Sequence, residues 1–224
     1  MKKKKILFVT TRSPFSKIFS GDRQRAKAII EHLEKKNSLD ILYSDHLKET
    51  GQTKIKKIFF KRKFLDKIKG IFICLITFKP IQLGYFYSES VNNFLKKNHT
   101  KYQTIIFHLI RSAHYLPENF KGKKILEMTD LISKNYNQIV KSFSIFNPLM
   151  YIYFLEKYFV KRYEIFCANK FNKIVLASKN DLKNTEIKKI KKFVEVPNTV
   201  KLKKRIYKFK NSNYKILFIG NINY

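Results

Sequence analysis

The residues best suited to bind a ligand follow the first apolar segment directly, in the stretch SGDRQR at positions 20–25. Ser20 or Asp22 can cap a helix that begins here, because a side-chain oxygen accepts hydrogen bonds from free backbone N–H groups of the first turn. Gly21 allows the chain to turn, and Arg23 adds positive charge together with the second arginine of the stretch. A helix that begins at the carboxyl end of a parallel strand points its positive end at the ligand crevice. The stretch therefore indicates a site for an anionic or polyhydroxylated ligand; the alternative is a loop glycine before a solvated helix face.

A second group of candidate residues lies where two later apolar segments, TIIFHLI and KILEM, come to an end. His108 lies near the end of the first segment, where a structural histidine with satisfied hydrogen bonds is the alternative. Arg111 follows, and a cation at the end of a buried strand requires a partner. Asp130 follows the second segment and can also cap the next helix, with Ser133 on the same helical face. We expect His108, Arg111 and Asp130 to share one rim of the fold with Gly21 and Arg23.

Hydrophobic patterns predict the elements that position these residues. Ile6–Val9 is a short continuous apolar run, which is typical of a strand covered on both faces. Apolar residues at helical spacing follow through Lys36, and a second strand at Leu39–Tyr43 completes one βαβ unit. Further strands are predicted at Thr104–Ile110, Lys124–Met128, Lys173–Ala177 and Phe193–Val196, and helices at Pro148–Lys170 and Asp181–Lys191. The predicted fold is α/β: a Rossmann-like parallel sheet of about six or seven strands with helices on both faces. The strands at Ile6–Val9, Thr104–Ile110 and Lys124–Met128 are expected at its centre.

Residues 54–78 combine lysines with many aromatic and aliphatic side chains. This pattern is typical of a helix on a membrane surface, because cations meet anionic headgroups while rings enter the interface. A helix whose apolar side packs on the sheet would show the same pattern. Both interpretations stay open, and the first predicts a peripheral contact with the inner membrane.

The composition describes a basic protein with enough apolar residues for a core. The chain has 224 residues, 44% of them hydrophobic, and a formal net charge of +32. Cys74 and Cys167 lie far apart without CxxC spacing, which favours a reduced, cytoplasmic setting. The first apolar run is too short for a signal peptide, and no stretch reaches the length of a spanning helix. We expect a cytoplasmic protein, peripheral on the cytoplasmic membrane face if residues 54–78 contact lipid.

The net charge also raises an alternative function, a basic nucleic-acid-binding protein without catalytic activity. The lysines are spread over nearly every segment of the chain, and RNP, KH and zinc-ligand spacings are absent from the sequence. Nucleic acid is therefore not the partner that we expect.

Six stretches of the sequence, in family order, resemble family 4 glycosyltransferases with the two-domain GT-B architecture. They are SGDRQR, KPIQLGYFYS, FHLIRSAHYL, ILEMTDLISKNY, VEVPNTV and LFIGNINY. FHLIRSA followed by LEMTDLISKNY is similar to a bacterial subgroup that acts on surface or exported polysaccharides. The resemblance implies an N-terminal domain that binds a glycan or lipid-linked acceptor, and a second domain that binds a nucleotide sugar through paired glutamates. It also implies transfer with retention of configuration, without a metal or a cofactor.

The resemblance implies roles for individual residues as well. Ser20–Asp22 match a glycine loop of the family that approaches the acceptor and the donor diphosphate. The strand ends that line the family's cleft are matched by His108, Arg111, Asp130 and Ser133. The implied catalytic residues are His108, Arg111 and Asp130, and the implied acceptor- or phosphate-binding residues are Ser20, Gly21, Asp22, Arg23 and Ser133.

The implied domain organisation divides the chain unevenly. Residues 1–200 correspond to the acceptor-binding domain, 201–213 to a linker, and 214–224 to the first strand of the donor-binding domain. The implied hinge residues are Pro197, Asn198, Gly220 and Asn221. Because the glutamate-bearing part of the donor domain is not in this sequence, we expect the chain to be a fragment.

Two features depart from the family pattern. Thr199 and Lys201 stand where the hinge turn of the family has a glycine and an acidic residue. Thr129 and Asp130 stand where many relatives have a histidine. No DxD motif occurs in the sequence, so a divalent metal has no ligand set, and none is expected.

Overall fold

Apolar runs form the centre of a parallel sheet in the computed structural model, which describes residues 4–18, 20–45, 55–183 and 192–199. The sheet has seven strands in this part of the chain, in the order β3-β2-β1-β4-β5-β6-β7. They are β1 (Lys5–Thr10), β2 (Ser38–Asp45), β3 (Lys56–Lys61), β4 (Thr104–His108), β5 (Lys123–Thr129), β6 (Lys173–Leu176) and β7 (Phe193–Glu195). The predicted Rossmann-like sheet is confirmed, with β1, β4 and β5 adjacent at its centre.

Helices cover both faces of the sheet. They are α1 (Gly21–Leu33), α2 (Phe64–Ile76), α3 (Ile81–Tyr85), α4 (Glu89–Asn98), α5 (Ile132–Ser142) and α6 (Pro148–Lys170), with 3-10 turns at His99–Lys101, Ile110–Tyr115 and Lys179–Leu182. Successive side chains of a strand point to opposite faces, so β1 contributes to two cores. Phe8 shares one core with Ile30 of α1, and Leu7 shares the other with Leu95 of α4 and Cys167 of α6.

The central strands β4 and β5 end in strained backbone. β4 ends at His108 rather than at Ile110 as predicted, because Leu109 has φ 66° and leaves the extended conformation. Thr129, the last residue of β5, has φ 67°. A left-handed conformation costs a non-glycine residue about 1–2 kcal/mol, and such strain is concentrated at functional sites. Both strained residues lie at the carboxyl edge of the sheet.

The edge strand β3 lies within the basic stretch that hydrophobic patterns did not identify as a strand. It pairs with β2 in parallel, from Asp40 opposite Lys56 to Asp45 opposite Lys61. Lysines interrupt its apolar residues, so local periodicity gives no strand signal. Pairing with a strand already in the sheet decides its conformation. Residues 56–61 are thus a strand, and the helix of the basic segment begins only at Phe64.

Two glycines allow α2 and α3 to approach closely. A Cβ atom on Gly70 would lie 2.5 Å from the carbonyl oxygen of Gly84, and one on Gly84 would lie 2.4 Å from the carbonyl oxygen of Gly70. This contact fixes the position of α3 and of the aromatic residues after it.

Several sequence predictions fall outside the described residues. They are the linker at 201–213, the strand at 214–224, the hinge residues Gly220 and Asn221, and residues 184–191 of the predicted helix at Asp181–Lys191.

Candidate functional site

The strand order reverses between β1 and β4, and open α/β sheets bind ligands in the crevice at this point. Asp22, at the start of the helix after β1, meets Arg111, in the turn after β4, with Nη2 2.7 Å from Oδ2. Arg12 Nη1 lies 3.2 Å from the same carboxylate oxygen. Burial opposes ionisation of Asp22, but the Ser20 hydrogen bond and the charges of Arg111 and Arg12 lower its pKa to about 2. Asp22 is therefore ionised at neutral pH, and its carboxylate holds two guanidinium groups at the crevice.

Arg111 is anchored in a defined orientation. Its Nε donates to the hydroxyl of Thr11 at 2.8 Å, while Nη2 binds Asp22. Burial and the nearby charge of Arg12 lower the pKa of Arg111 to about 10, although Asp22 acts in the opposite direction. The predicted need of this cation for a partner is thus met by a residue that precedes it by 89 positions.

The N-terminus of α1 is open to a ligand. Ser20 is the N-cap residue by position, but its hydroxyl donates to Asp22 Oδ1 at 2.6 Å and caps no backbone N–H group. A Cβ atom added at Gly21 would meet no atom within 4 Å. Gly21 has no positive φ, so free space above the backbone, rather than a special conformation, distinguishes this glycine. The first N–H groups of a helix bind anions well where such space exists.

Arg23 lies on the neighbouring side of the same edge. Its Nη1 donates to Ser16 Oγ at 3.1 Å, and Nη2 lies 3.5 Å from Asp45 Oδ2 at the end of β2. Its Nε is buried without a hydrogen-bond partner among the described residues. The predicted loop residues Ser20, Gly21 and Arg23 are therefore gathered around the ends of β1 and β2.

His108 lies beneath this rim and is almost completely buried. Its Nδ1 is 2.6 Å from Glu127 Oε2, and its Nε2 is 3.0 Å from the carbonyl oxygen of Asp22. Both ring nitrogens thus face oxygen acceptors of the protein, which leaves neither free for a substrate. The structure favours the structural interpretation of His108, in which the imidazole fixes the start of α1 against β5.

Glu127 is the centre of a buried network that sequence patterns did not identify. Arg25 Nε donates to Glu127 Oε1 at 2.6 Å, and Thr129 Oγ1 donates to the same oxygen at 3.0 Å. Although burial opposes ionisation, the hydrogen bond from His108 and the charges of His108 and Arg25 lower the pKa of Glu127. The signal in the sequence was a glutamate inside an apolar strand, since a buried charge requires a partner.

The predicted hinge segment after β7 accepts hydrogen bonds from Arg25 of this network. Arg25 Nη1 donates to the side-chain oxygen of Asn198 at 2.7 Å, and Nη2 donates to the carbonyl oxygen of Val196 at 2.9 Å. Pro197 lies between these two contacts and is exposed. One arginine of α1 therefore joins the centre of the sheet to the predicted hinge.

Asp130 and Ser133 are less closely associated with the rim. Asp130 lies one strand further along, and burial, followed by the charge of Asp181, raises its pKa. Ser133 faces α6, where its hydroxyl donates to Glu164 Oε2 at 2.5 Å and its backbone N–H donates to Oε1 at 3.1 Å. The structure thus brings Gly21, Asp22 and Arg111 together, whereas Asp130 follows the next strand, β5, and Ser133 is bound to α6.

No protein-family model matches this chain, and no curated protein is significantly similar to it.

Proposed function

We propose that this chain is the acceptor-binding half of a family 4 type glycosyltransferase. It would act with a nucleotide-sugar donor on a glycan or lipid-linked acceptor in surface polysaccharide synthesis. The ion pair between Asp22 and Arg111 at the point where the strand order reverses carries the proposal, because it fixes a guanidinium beside an open helix N-terminus. The resemblance of the quoted motifs to this family supplies the reaction class.

The proposed chemistry requires stabilisation of a leaving diphosphate and orientation of an acceptor hydroxyl. Backbone N–H groups at the start of α1 and the Arg111 guanidinium are donors of the kind that stabilise developing negative charge without a metal. Asp22 holds Arg111 in place, and His108 with Glu127 holds the helix that carries Asp22. We assign Asp130 to the acceptor side of the cleft, where a carboxylate can accept a hydrogen bond from a sugar hydroxyl.

We assign donor binding to a second domain, as in the family that the sequence motifs resemble. The contacts of Arg25 with Val196 and Asn198 support a defined attachment of such a domain, because they fix the segment that would lead into it. Sugar transfer requires donor and acceptor contacts at the same time, and the positioning of both reactants contributes several orders of magnitude to the rate.

A peripheral contact with a membrane is also part of the proposal. On α2 only Asp66, Gly70 and Cys74 are buried, so most apolar side chains of this helix do not pack on the sheet. The exposed ones on and after α2 are Phe64, Leu65, Ile68, Phe72, Ile73, Leu75, Ile76 and Phe78. A group of eight exposed apolar side chains on one helix and the turn after it is typical of an interaction surface.

The apolar surface continues from α2 onto α6. Phe78 contacts Phe159 with ring centroids 6.1 Å apart, and Ile81 N donates to Glu156 Oε1 at 2.7 Å. Further exposed apolar residues lie on α6 and in the turn before it: Ile145, Phe146, Leu149, Tyr151, Ile152, Phe154, Leu155 and Tyr158. No helix in the described residues is long and apolar enough to cross a membrane. We therefore propose that the two helices lie on the cytoplasmic membrane surface, where a lipid-linked acceptor would be available.

The proposed function is tested by a transfer assay with a panel of nucleotide sugars and polyprenyl-phosphate-linked acceptors. We expect no transfer by the 224-residue chain alone. We expect transfer, with nucleotide release coupled to product, by the longer polypeptide that we propose contains it. Transfer by residues 1–224 at a rate near that of the longer polypeptide would show that the donor site is wrongly assigned. Absence of transfer by both, with tight binding of nucleic acid, would favour the nucleic-acid-binding alternative.

A further inference from the structure

A cavity of about 210 Å³ opens between the start of α2 and the end of α3. Its lining consists of three cationic side chains and two aromatic rings: Arg62, Lys63, Lys67, Phe64 and Tyr85. No carboxylate of the described residues lines it. A concave site with one sign of charge attracts a small ion of the opposite sign.

The cations of this cavity are not neutralised by ion pairs with described residues. Lys67 Nζ lies 3.7 Å from the centre of the Tyr85 ring. Arg62 Nη2 donates to the carbonyl oxygens of Thr11 and Ser44 at 2.5 and 2.8 Å, which orients the guanidinium without cancelling its charge. Arg62 Nε is buried without a hydrogen-bond partner in the described part of the chain, although the residue is only 7% exposed. The lining of the cavity therefore includes a guanidinium of fixed orientation.

Further positive charge lies behind the cavity, around Phe86. Tyr85 and Phe86 pack edge to face with ring centroids 5.1 Å apart. The guanidinium carbons of Arg111, Arg62 and Arg12 lie 4.4, 4.9 and 5.5 Å from the centre of the Phe86 ring. Burial and the charge of Arg12 lower the pKa of Arg62, against the opposing effect of Asp45. Asp22 pairs with Arg111 and Arg12, whereas Arg62 makes no ion pair with a described residue, so Arg62 is the cation that gains from an added anion.

We propose that this cavity binds a phosphate group. The guanidinium supplies a planar donor, the two lysines supply compact positive charges, and the rings provide an apolar wall for the part of the ligand next to the phosphate. A carboxylate carries less charge than a phosphate monoester and would use fewer of these donors.

The position of the cavity allows two sources of phosphate. Phe64, one of its lining residues, and Leu65 beside it are 71% and 74% exposed and begin the apolar surface of α2. The phosphate could therefore belong to a lipid headgroup in the membrane or to a soluble phosphorylated molecule. Its assignment to a phosphorylated acceptor rests on the proposed function, whereas phosphate binding itself does not require sugar transfer.

Calorimetric titration of the 224-residue chain with inorganic phosphate tests the proposal directly. The test variant is Lys63→Gln with Lys67→Gln, because neither lysine makes an ion pair with a described residue. The matched control is Lys96→Gln with Lys97→Gln on α4, which removes the same charge from two exposed positions. We expect the test variant to lose about tenfold or more in phosphate affinity and the control to keep it. An equal loss in both variants, no binding by the unaltered chain, or equal binding of acetate would overturn the proposal.

Vesicle sedimentation distinguishes the two sources. The unaltered chain and both variants are mixed with phosphatidylcholine vesicles with and without phosphatidic acid. Stronger binding with phosphatidic acid that depends on Lys63 and Lys67 assigns the site to a lipid headgroup. Phosphate binding without this dependence assigns it to a soluble ligand. Retained phosphate binding without sugar transfer by the longer polypeptide would refute the proposed function and leave the phosphate site standing.

Discussion

Arg25 on α1 and Glu127 on β5 form an ion pair with Nε 2.6 Å from Oε1, and their side chains are only 5% and 2% exposed. The pair joins residues 102 positions apart, and the same arginine binds Val196 and Asn198. The side chain of Arg25 thus connects the first helix, the sheet and the segment after the last described strand. Its removal should affect all three.

We predict that Glu127→Gln destabilises the protein by about 3–5 kcal/mol, because it leaves Arg25 buried without its counter-charge. The measurement is the free energy of unfolding in urea. The control is Glu89→Gln, which breaks an exposed pair in which Lys69 Nζ lies 3.0 Å from Oε2. That variant should change stability little. Equal effects of the two substitutions would contradict the assigned role of the buried network.

A second prediction concerns pH and the carboxyl group of Glu164, which binds Ser133 at the start of α5. Burial raises the pKa of Glu164 from 4.5 to about 7, although hydrogen bonds from Ser133 oppose the shift. Because the folded state holds this proton more tightly than the unfolded state, the group's contribution to stability is complete below about pH 4.5. It is lost as the pH rises to about 7. Glu164→Gln should therefore make stability less dependent on pH in this range, measured by urea unfolding at a series of pH values.

Glu118→Gln, at an exposed position, is the control for this experiment. It should show the same pH dependence as the unaltered chain. If Glu164→Gln also leaves the pH dependence unchanged, the carboxyl group of Glu164 does not titrate in the range that its burial indicates.

A third prediction compares two glycines at which a methyl group meets different surroundings. Gly70→Ala would place Cβ 2.5 Å from the carbonyl oxygen of Gly84, so α2 and α3 must separate. We expect a loss of about 1–3 kcal/mol in the free energy of unfolding. Gly21→Ala meets no atom within 4 Å and removes a glycine from a helix, so it should be neutral or slightly stabilising. A destabilisation by Gly21→Ala as large as that by Gly70→Ala would contradict the open space at the start of α1.

A fourth prediction addresses the apolar surface of α2. Phe72 is 63% exposed, so Phe72→Ser should leave the fold intact. If α2 lies in the membrane interface, this substitution should weaken binding to vesicles that contain anionic lipid by about tenfold. Ile18→Ser is the matched control, since Ile18 is 67% exposed and lies in the loop before α1. Vesicle binding reduced equally by both substitutions would indicate a general effect of hydrophobicity.

The same surface could instead bind a second copy of the chain. Sedimentation of the unaltered chain and of Phe72→Ser in the absence of lipid separates these cases. A dimer that dissociates on substitution at Phe72 would assign the surface to self-association and contradict the membrane proposal.

Local patterns in the sequence determined the architecture. Continuous apolar runs at Ile6–Val9 and Thr104–Ile110 identified central strands, because only strands covered on both faces lack polar alternation. The order of strands and helices then required a parallel sheet, and the carboxyl edge of that sheet is where Gly21, Asp22 and Arg111 were expected. Their positions follow from chain direction alone, since residues after parallel strands meet at one edge.

Tertiary structure alone decided which side chains form pairs. Nothing local in the sequence relates Arg25 to Glu127, because their contact depends on strand order and register. The same holds for Ser133, which binds Glu164 of α6, whereas the family resemblance implied that it lines the cleft. The strand at Lys56–Lys61 and the cavity at Arg62 also arise from packing between distant segments. Periodicity encodes which face of an element is buried, but the partner buried against it is set only when all elements pack together.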